Sequence, residues 1–220
     1  MSSTFQSATS VTRRTLMMAA APSPRYLKGV GIVSFAPTLS LPEIFAQAKN
    51  AGFQAIEIRL GNQIKHDTSA DELARIREAA ERQGLVIGSC WVSSAFLPAG
   101  LLSSPDAGVR RKAVAAIERG AEIAGALGCT SVLLNVVRVD REVGYRAVWE
   151  RFSEGIRAAL PAAKKHGVIL TPENVHNRFL LSPREACEFI DQFKSPQAGF
   201  FFDIGNVMIF GEPADWIETL

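Results

Sequence analysis

Glu173 closes the run Val168-Ile169-Leu170-Thr171-Pro172, and Asp203 closes a second run, Phe200-Phe201-Phe202. A carboxylate at the end of such a run is costly to desolvate unless a cation meets it. Each ends a candidate strand, and a helix-forming stretch lies between them. That arrangement predicts one shared cation, for which a divalent metal held by oxygen ligands is the natural candidate. The plainer alternative is that each carboxylate only caps a helix or turn. Other candidate strands end in polar residues too. Glu57 and Arg59 alternate with Ile56 and Ile58, and Asn135 alternates with Leu134 and Val136.

These residues need a scaffold, and the chain supplies a repeating one. From Lys28 onward an apolar strand, a loop, a helix and a glycine recur, with helices ending at Gly52, Gly84, Gly128 and Gly167. Glycine suits a helix end because it takes the left-handed conformation without a Cβ clash. Helix starts are marked by Ser40…Glu43, Ser69…Glu72 and Ser182…Glu185, each an S-x-x-E capping box, and by Ser104-Pro105, with proline read as the first helical residue. Val109, Ala113, Ala116, Ile117, Gly120, Ala124 and Leu127 form one stripe of a helix. The pattern predicts six strands, at 29–35, 55–60, 85–92, 131–137, 168–173 and 198–203.

Strict alternation argues for a parallel sheet covered by helices. No glycine-rich phosphate loop follows the first strand, so a (β/α)8 TIM barrel is expected rather than an open doubly wound sheet. In a barrel, the face carrying Glu57, Arg59, Asn135, Glu173 and Asp203 is the interior, and its C-terminal mouth holds the chemistry.

Composition narrows the partners. The 24 basic and 22 acidic residues leave a net charge of +2 with no basic block, so no nucleic-acid partner is expected. No apolar stretch is long enough to span a bilayer, so no membrane partner is expected either. Cys90, Cys129 and Cys187 are scattered and read as reduced thiols. Residues 1–24 form a separate unit, either a disordered extension or a twin-arginine-like leader built on Arg13-Arg14 and a short apolar run. A cytoplasmic location is the expectation, and export through that leader the alternative. The fold proper is assigned to residues 25–220.

The motifs Pro172-Glu173-Asn174-Val175-His176-Asn177-Arg178-Phe179 and Phe202-Asp203-Ile204-Gly205-Asn206 resemble the xylose isomerase-like barrel superfamily, in its sugar-phosphate isomerase and epimerase branch. The resemblance runs from about Lys28 to the last residue. It implies that Glu173 and Asp203 are metal ligands, with manganese, magnesium, cobalt or zinc as the cofactor. It also implies a histidine and a glutamate from strands seven and eight, for which this sequence has no counterpart. Such barrels need roughly 250 residues, so about six of eight units, and an incomplete barrel inactive by itself, are expected.

The resemblance further places Glu57 near the substrate, with a buried ion pair to Arg59 or another basic residue as the alternative. Asn135, His176, Asn177 and Asn206 are expected to bind substrate, His176 by hydrogen bonding rather than by ligating the metal. His66 reads as a solvated loop histidine that could reach the mouth, His166 as structural, Arg138 as a surface charge that could reach a phosphate, and Trp91 and Phe96 as packing or stacking residues. The implied activity is isomerisation or epimerisation of a sugar or sugar phosphate. The metal polarises the carbonyl, Glu173 moves the α-proton, and an enediolate lies between substrate and product. An inosose-type dehydratase and a non-catalytic remnant are the alternatives, an AP endonuclease is disfavoured by the three histidines and balanced charge, and a homo-oligomer is allowed.

Overall fold

A computed structural model describes residues 26–220. The leader-like segment 1–24 lies outside the described residues. Within them, five parallel strands form one sheet in the order of the chain: β1 (Gly29–Gly31), β2 (Ala55–Arg59), β3 (Val86–Val92), β4 (Ser131–Leu134) and β5 (Ile169–Pro172). Helices α1 (Leu41–Asn50), α2 (Ala70–Arg82), α3 (Ala107–Ala126) and α4 (Tyr145–His166) alternate with them, and α5 (Pro183–Asp191), α6 (Ile204–Val207) and α7 (Pro213–Thr219) follow. This is a TIM-barrel arrangement, with helices packed on one face of a parallel sheet.

The sequence signals act where expected, with one displacement. Gly52, Gly84, Gly128 and Gly167 all adopt positive φ at helix ends. Glu43 accepts the Ser40 backbone N–H at 2.8 Å, and Glu185 accepts that of Ser182 at 3.2 Å. Ser69 accepts from the Glu72 N–H, without the return bond of a full box. Pro105 is not the first helical residue. Asp106 takes the cap instead, accepting from Gly108 N–H at 2.6 Å and Val109 N–H at 3.3 Å, and a carboxylate there also suits the helix dipole.

Strand lengths fall short of the reading. β1 turns into a short 3-10 segment at Ile32–Ser34, and β4 ends at Leu134, after which the Val136 carbonyl accepts a bond from Leu102 N–H instead of continuing the ladder. The sixth strand is reduced to isolated bridges, Leu170 with Ala198 and Glu173 with Phe201. Proline explains it. Gly199 and Phe201 donate to the Leu170 and Pro172 carbonyls, at 3.0 and 2.8 Å, but Pro172 has no N–H to return.

Alternation divides the sheet as read. Ile56, Ile58, Cys90, Val132 and Leu170 are buried beneath the helices. The register aligns Gly31, Glu57, Ser89, Ser131 and Ile169 in one interior layer, and Arg59, Trp91, Leu133 and Thr171 in the next. An aromatic cluster on the helix side anchors the loop after β5. Phe179 packs at 5.1–5.9 Å on Tyr145, Phe152 and Phe189.

Helices α3 and α4 meet closely at Gly125, where an added Cβ would lie 2.7 Å from the His166 carbonyl oxygen. Alanine gains about 1 kcal/mol of helix propensity over glycine, but pushing two helix backbones apart costs about 1–3 kcal/mol. Gly125→Ala is therefore expected to lower stability in urea unfolding, and a more stable variant would contradict the contact.

Candidate active site

The mouth of the sheet gathers Glu57, Glu173 and Asp203 from β2, the end of β5 and the bridged segment that follows. Glu57 does not pair with Arg59. It accepts a 2.7 Å bond from the Ser89 hydroxyl, while Arg59 lies 4.9 Å over the Trp91 ring and donates to Ser93 Oγ at 3.3 Å. Burial raises the Glu57 carboxyl above its usual range, the Ser89 bond opposes that, and Asp203 adds to it. Glu173 is pushed up to about 7, first by burial, then by the charges of Asp203 and Glu57 and by a hydrogen bond to Asp203. The three carboxylates thus share one field. The four ion pairs among the described residues lie on helix surfaces and involve none of them.

Asp203 both caps and faces the site. Its Oδ1 accepts the Asn206 N–H at 2.8 Å at the start of α6, so the capping alternative is realised with one of its two oxygens. Asn206 also reaches back, donating from Nδ2 to the Asn174 carbonyl at 2.9 Å and to Glu173 Oε1 at 3.4 Å. Asn206 therefore ties the two carboxylate-bearing segments together.

Sequence reading passed over two residues that hold this geometry. Asn174 is fully buried, and its side-chain amide imitates a strand partner. Nδ2 donates to the Asp203 carbonyl at 2.7 Å, and Oδ1 accepts the Asp203 N–H at 2.8 Å. This restores the pairing that Pro172 interrupts one step earlier. Ser89, which orients Glu57, shares the interior face with Trp91. Period-two alternation within β3 was the signal that could have found it.

The remaining candidates separate. Asn135, His176 and Asn177 line one cavity of about 370 Å³ over the ends of β3, β4 and β5. Asn177 is buried there and its amide is engaged within the fold, donating to the Val137 carbonyl at 3.2 Å and accepting from Phe179 N–H at 3.1 Å. It fastens the loop after β5 to the loop after β4, which leaves one amide N–H and one lone pair for any other partner. His176 is exposed. His66 stacks on Phe96 with ring centroids 3.8 Å apart and bonds the Phe96 carbonyl at 2.6 Å. His166 closes α4 beside Lys164 and Lys165.

The donor set suits a hard divalent cation in chemistry, because it consists of carboxylates with no counter-charge paired to them among the described residues. It is short in number. Among the described residues no group of three or more His, Cys, Asp or Glu is arranged to hold a metal. Glu173 and Asp203 would be two of its ligands.

The Glu173 environment has a consequence for stability. Folded, the carboxyl keeps its proton to about pH 7, whereas unfolded it releases it near 4.5. The folded state binds more protons between those values, so stability falls as pH rises from about 4.5 to about 7 and stays lower above. The full shift corresponds to about 3 kcal/mol, which solvent at the open mouth cuts to ~1–2 kcal/mol. Urea unfolding of metal-free protein at pH 5 and pH 8 should show this loss, and Glu173→Gln should flatten it. Parallel pH profiles in the two proteins would contradict the assignment.

Three comparisons bear on this geometry. The family model described as xylose isomerase-like TIM barrel matches residues 45–220. The Escherichia coli (strain K12) protein named "Putative L-ribulose-5-phosphate 3-epimerase SgbU" is 25% identical over 194 residues, covering 83% of this chain and 65% of that protein. The chain thus spans less than two thirds of that curated relative. Among solved structures, D-psicose 3-epimerase in the presence of D-fructose superposes with a TM-score of 0.76 at 22% identity, covering 88% of this chain and 69% of the other. The 3-keto-D-glucoside 4-epimerase YcjR of E. coli gives 0.67 at 15% identity, covering 84% and 71%. Identities this low establish the shared fold.

Proposed function

The chain belongs to the xylose isomerase-like TIM barrel family, and from that premise we propose that it carries the carboxylate side of the active site of a divalent-metal-dependent sugar isomerase or epimerase. The names of its relatives point to a ketose or ketose phosphate as substrate. The observation that carries the reading is the grouping of Glu57, Glu173 and Asp203 at the mouth with no cationic side chain among the described residues paired to them. Carboxylates concentrated in this way cost stability, and a site that binds a cation and moves protons gives that cost a use.

The chemistry is removal of a proton from the carbon beside a carbonyl. Bound through Glu173 and Asp203, a manganese, magnesium, cobalt or zinc ion would supply charge to polarise that carbonyl. Glu173 takes the α-proton. Without a cation its proton affinity lies near neutrality, and a bound cation would lower it, holding the carboxylate ionised and ready to accept the proton. Glu57, fixed by Ser89, lies on the same interior face and receives a substrate hydroxyl. Asn206 keeps Glu173 and Asp203 in register through its bonds to both segments. Return of the proton to the same face regenerates substrate, and its return to the opposite face by a second acid gives the epimer.

Incubation with a panel of ketoses in deuterium oxide tests the reading. Manganese-dependent incorporation of deuterium at the carbon next to the carbonyl, abolished by a chelator, is the expected result. Metal-dependent loss of water from the sugar without such exchange would instead favour a dehydratase.

A further inference from the structure

The cavity over the ends of β3, β4 and β5 has a character opposite to that of the carboxylate cluster beside it. No acidic residue lines it, and its polar side chains are Ser94, Asn135, Arg138, His176 and Asn177, with Trp91 forming part of the wall. Asn177 is engaged within the fold, as described above. Arg138, His176 and Asn135 are different, because among the described residues the side chains of all three make no hydrogen bond or ion pair. The backbone positions them instead. Arg138 N–H donates to Ser103 Oγ at 3.2 Å, and His176 lies between Val175 and the anchored Asn177.

The nearest carboxylate on the same loop does not claim Arg138. Asp140 feels its charge, together with that of Arg178, but the Asp140 Oδ1 atom accepts the backbone N–H groups of Glu142 and Val143 at 2.9 Å each. The mouth is therefore divided. Three carboxylates lie toward β2 and the segment after β5, while a guanidinium, an imidazole and a carboxamide with free donors lie toward β4 and β5. Both halves meet at β5, where Glu173 and His176 are three residues apart.

Resting on the reading of the site as an isomerase or epimerase centre, we propose that this second half is an oxyanion subsite. In this proposal Arg138 and His176, with Asn135, hold an anionic group at the end of the ketose remote from its carbonyl. A cavity of about 370 Å³ falls within the usual range for small-ligand sites. A guanidinium with a free planar fork matches the geometry of a phosphate or carboxylate. The carboxylate cluster repels such a group when empty, and when it holds a cation that charge is engaged by the carbonyl end of the ketose. The substrate is thereby oriented with its neutral, reacting end toward Glu173 and its charged end toward Arg138. Arg138 acts as a specificity-determining residue and stands apart from the proton transfer.

The test uses calorimetry with the metal-loaded protein and four probes: ribulose, ribulose 5-phosphate, fructose and fructuronate. Wild type is expected to bind at least one anionic probe roughly tenfold or more tightly than its neutral counterpart. The pair showing the gap tells whether a phosphate or a carboxylate is the natural group. Arg138→Met is expected to bring that ratio close to one, and His176→Asn to reduce it, with circular dichroism unchanged because both side chains are exposed. Equal affinity for charged and neutral probes in wild type, or a gap that survives Arg138→Met, overturns the subsite. Should deuterium exchange into a neutral ketose persist in that case, the isomerase reading stands without it. If no probe binds and none exchanges, both readings fail.

Discussion

Glu173→Gln is expected to abolish deuterium incorporation at the ketose α-carbon, by a factor on the order of 10²–10⁴, in the protein that carries this chain. The amide is nearly isosteric with the carboxyl, so the fold should survive, but it can neither accept the proton nor offer an anionic oxygen to a cation. Asp203→Asn separates the two roles. Its amide oxygen can still cap α6, where Oδ1 accepts the Asn206 N–H, so the expected loss is in metal affinity while the base remains. Metal content after dialysis and exchange in deuterium oxide read the two effects independently. Exchange at the wild-type rate in Glu173→Gln would refute the catalytic role of Glu173, and unchanged metal content in both variants would refute the ligand pair.

Asn174→Leu should be nearly as damaging, although Asn174 is buried away from any ligand. Its amide makes two short bonds to the Asp203 backbone, 2.7 and 2.8 Å long. Leucine fills similar volume but leaves the half-buried N–H and carbonyl of Asp203 without partners, each in the lower part of the roughly 1–3 kcal/mol range because water reaches them in part. A total loss of about 2–4 kcal/mol is expected. The segment carrying Asp203 should loosen, and metal affinity should drop roughly 10–100-fold, as when other groups that orient metal ligands are removed. Denaturant unfolding and metal titration together check this. Asn174→Asp keeps the acceptor for the Asp203 N–H but sets a charged oxygen against the Asp203 carbonyl, so it should weaken the clamp as well. A leucine variant with wild-type metal affinity would show that Asp203 holds its place without the clamp.

The scaffold was legible because its signals are local. Gly52, Gly84, Gly128 and Gly167 mark helix ends by a conformation that glycine takes at little cost, and alternation in Ala55-Ile56-Glu57-Ile58-Arg59 reports which face meets the helices. Glu173 and Asp203 stood out for a related reason, since carboxylates ending apolar runs are rare unless used. What could not be read was which atoms pair across the sheet. Glu57 had a plausible partner two residues away in Arg59, yet Ser89, 32 residues on, is the one it meets. Asn177 reads like its neighbour His176, but its amide also bonds Val137 and Phe179 across two loops. Such assignments depend on register and loop path, which the residue pattern leaves open. The shortened sixth strand was a missed opportunity, because Pro172 was visible and its missing N–H dictates where the ladder breaks.

That break also bears on how the site responds to its occupant. Upstream of Pro172 the neighbouring segments are joined by backbone bonds whose geometry is rigid, and beyond the Glu173–Phe201 bridge they are joined by the side chains of Asn174 and Asn206, which have rotatable bonds of their own. The segment carrying Asp203 is thus held to Glu173 largely through side chains, which yield more readily than a backbone ladder. At the metal centre proposed above, that mounting would let Glu173 and Asp203 adjust to ions of different radius, favouring tolerance over strict discrimination among metals.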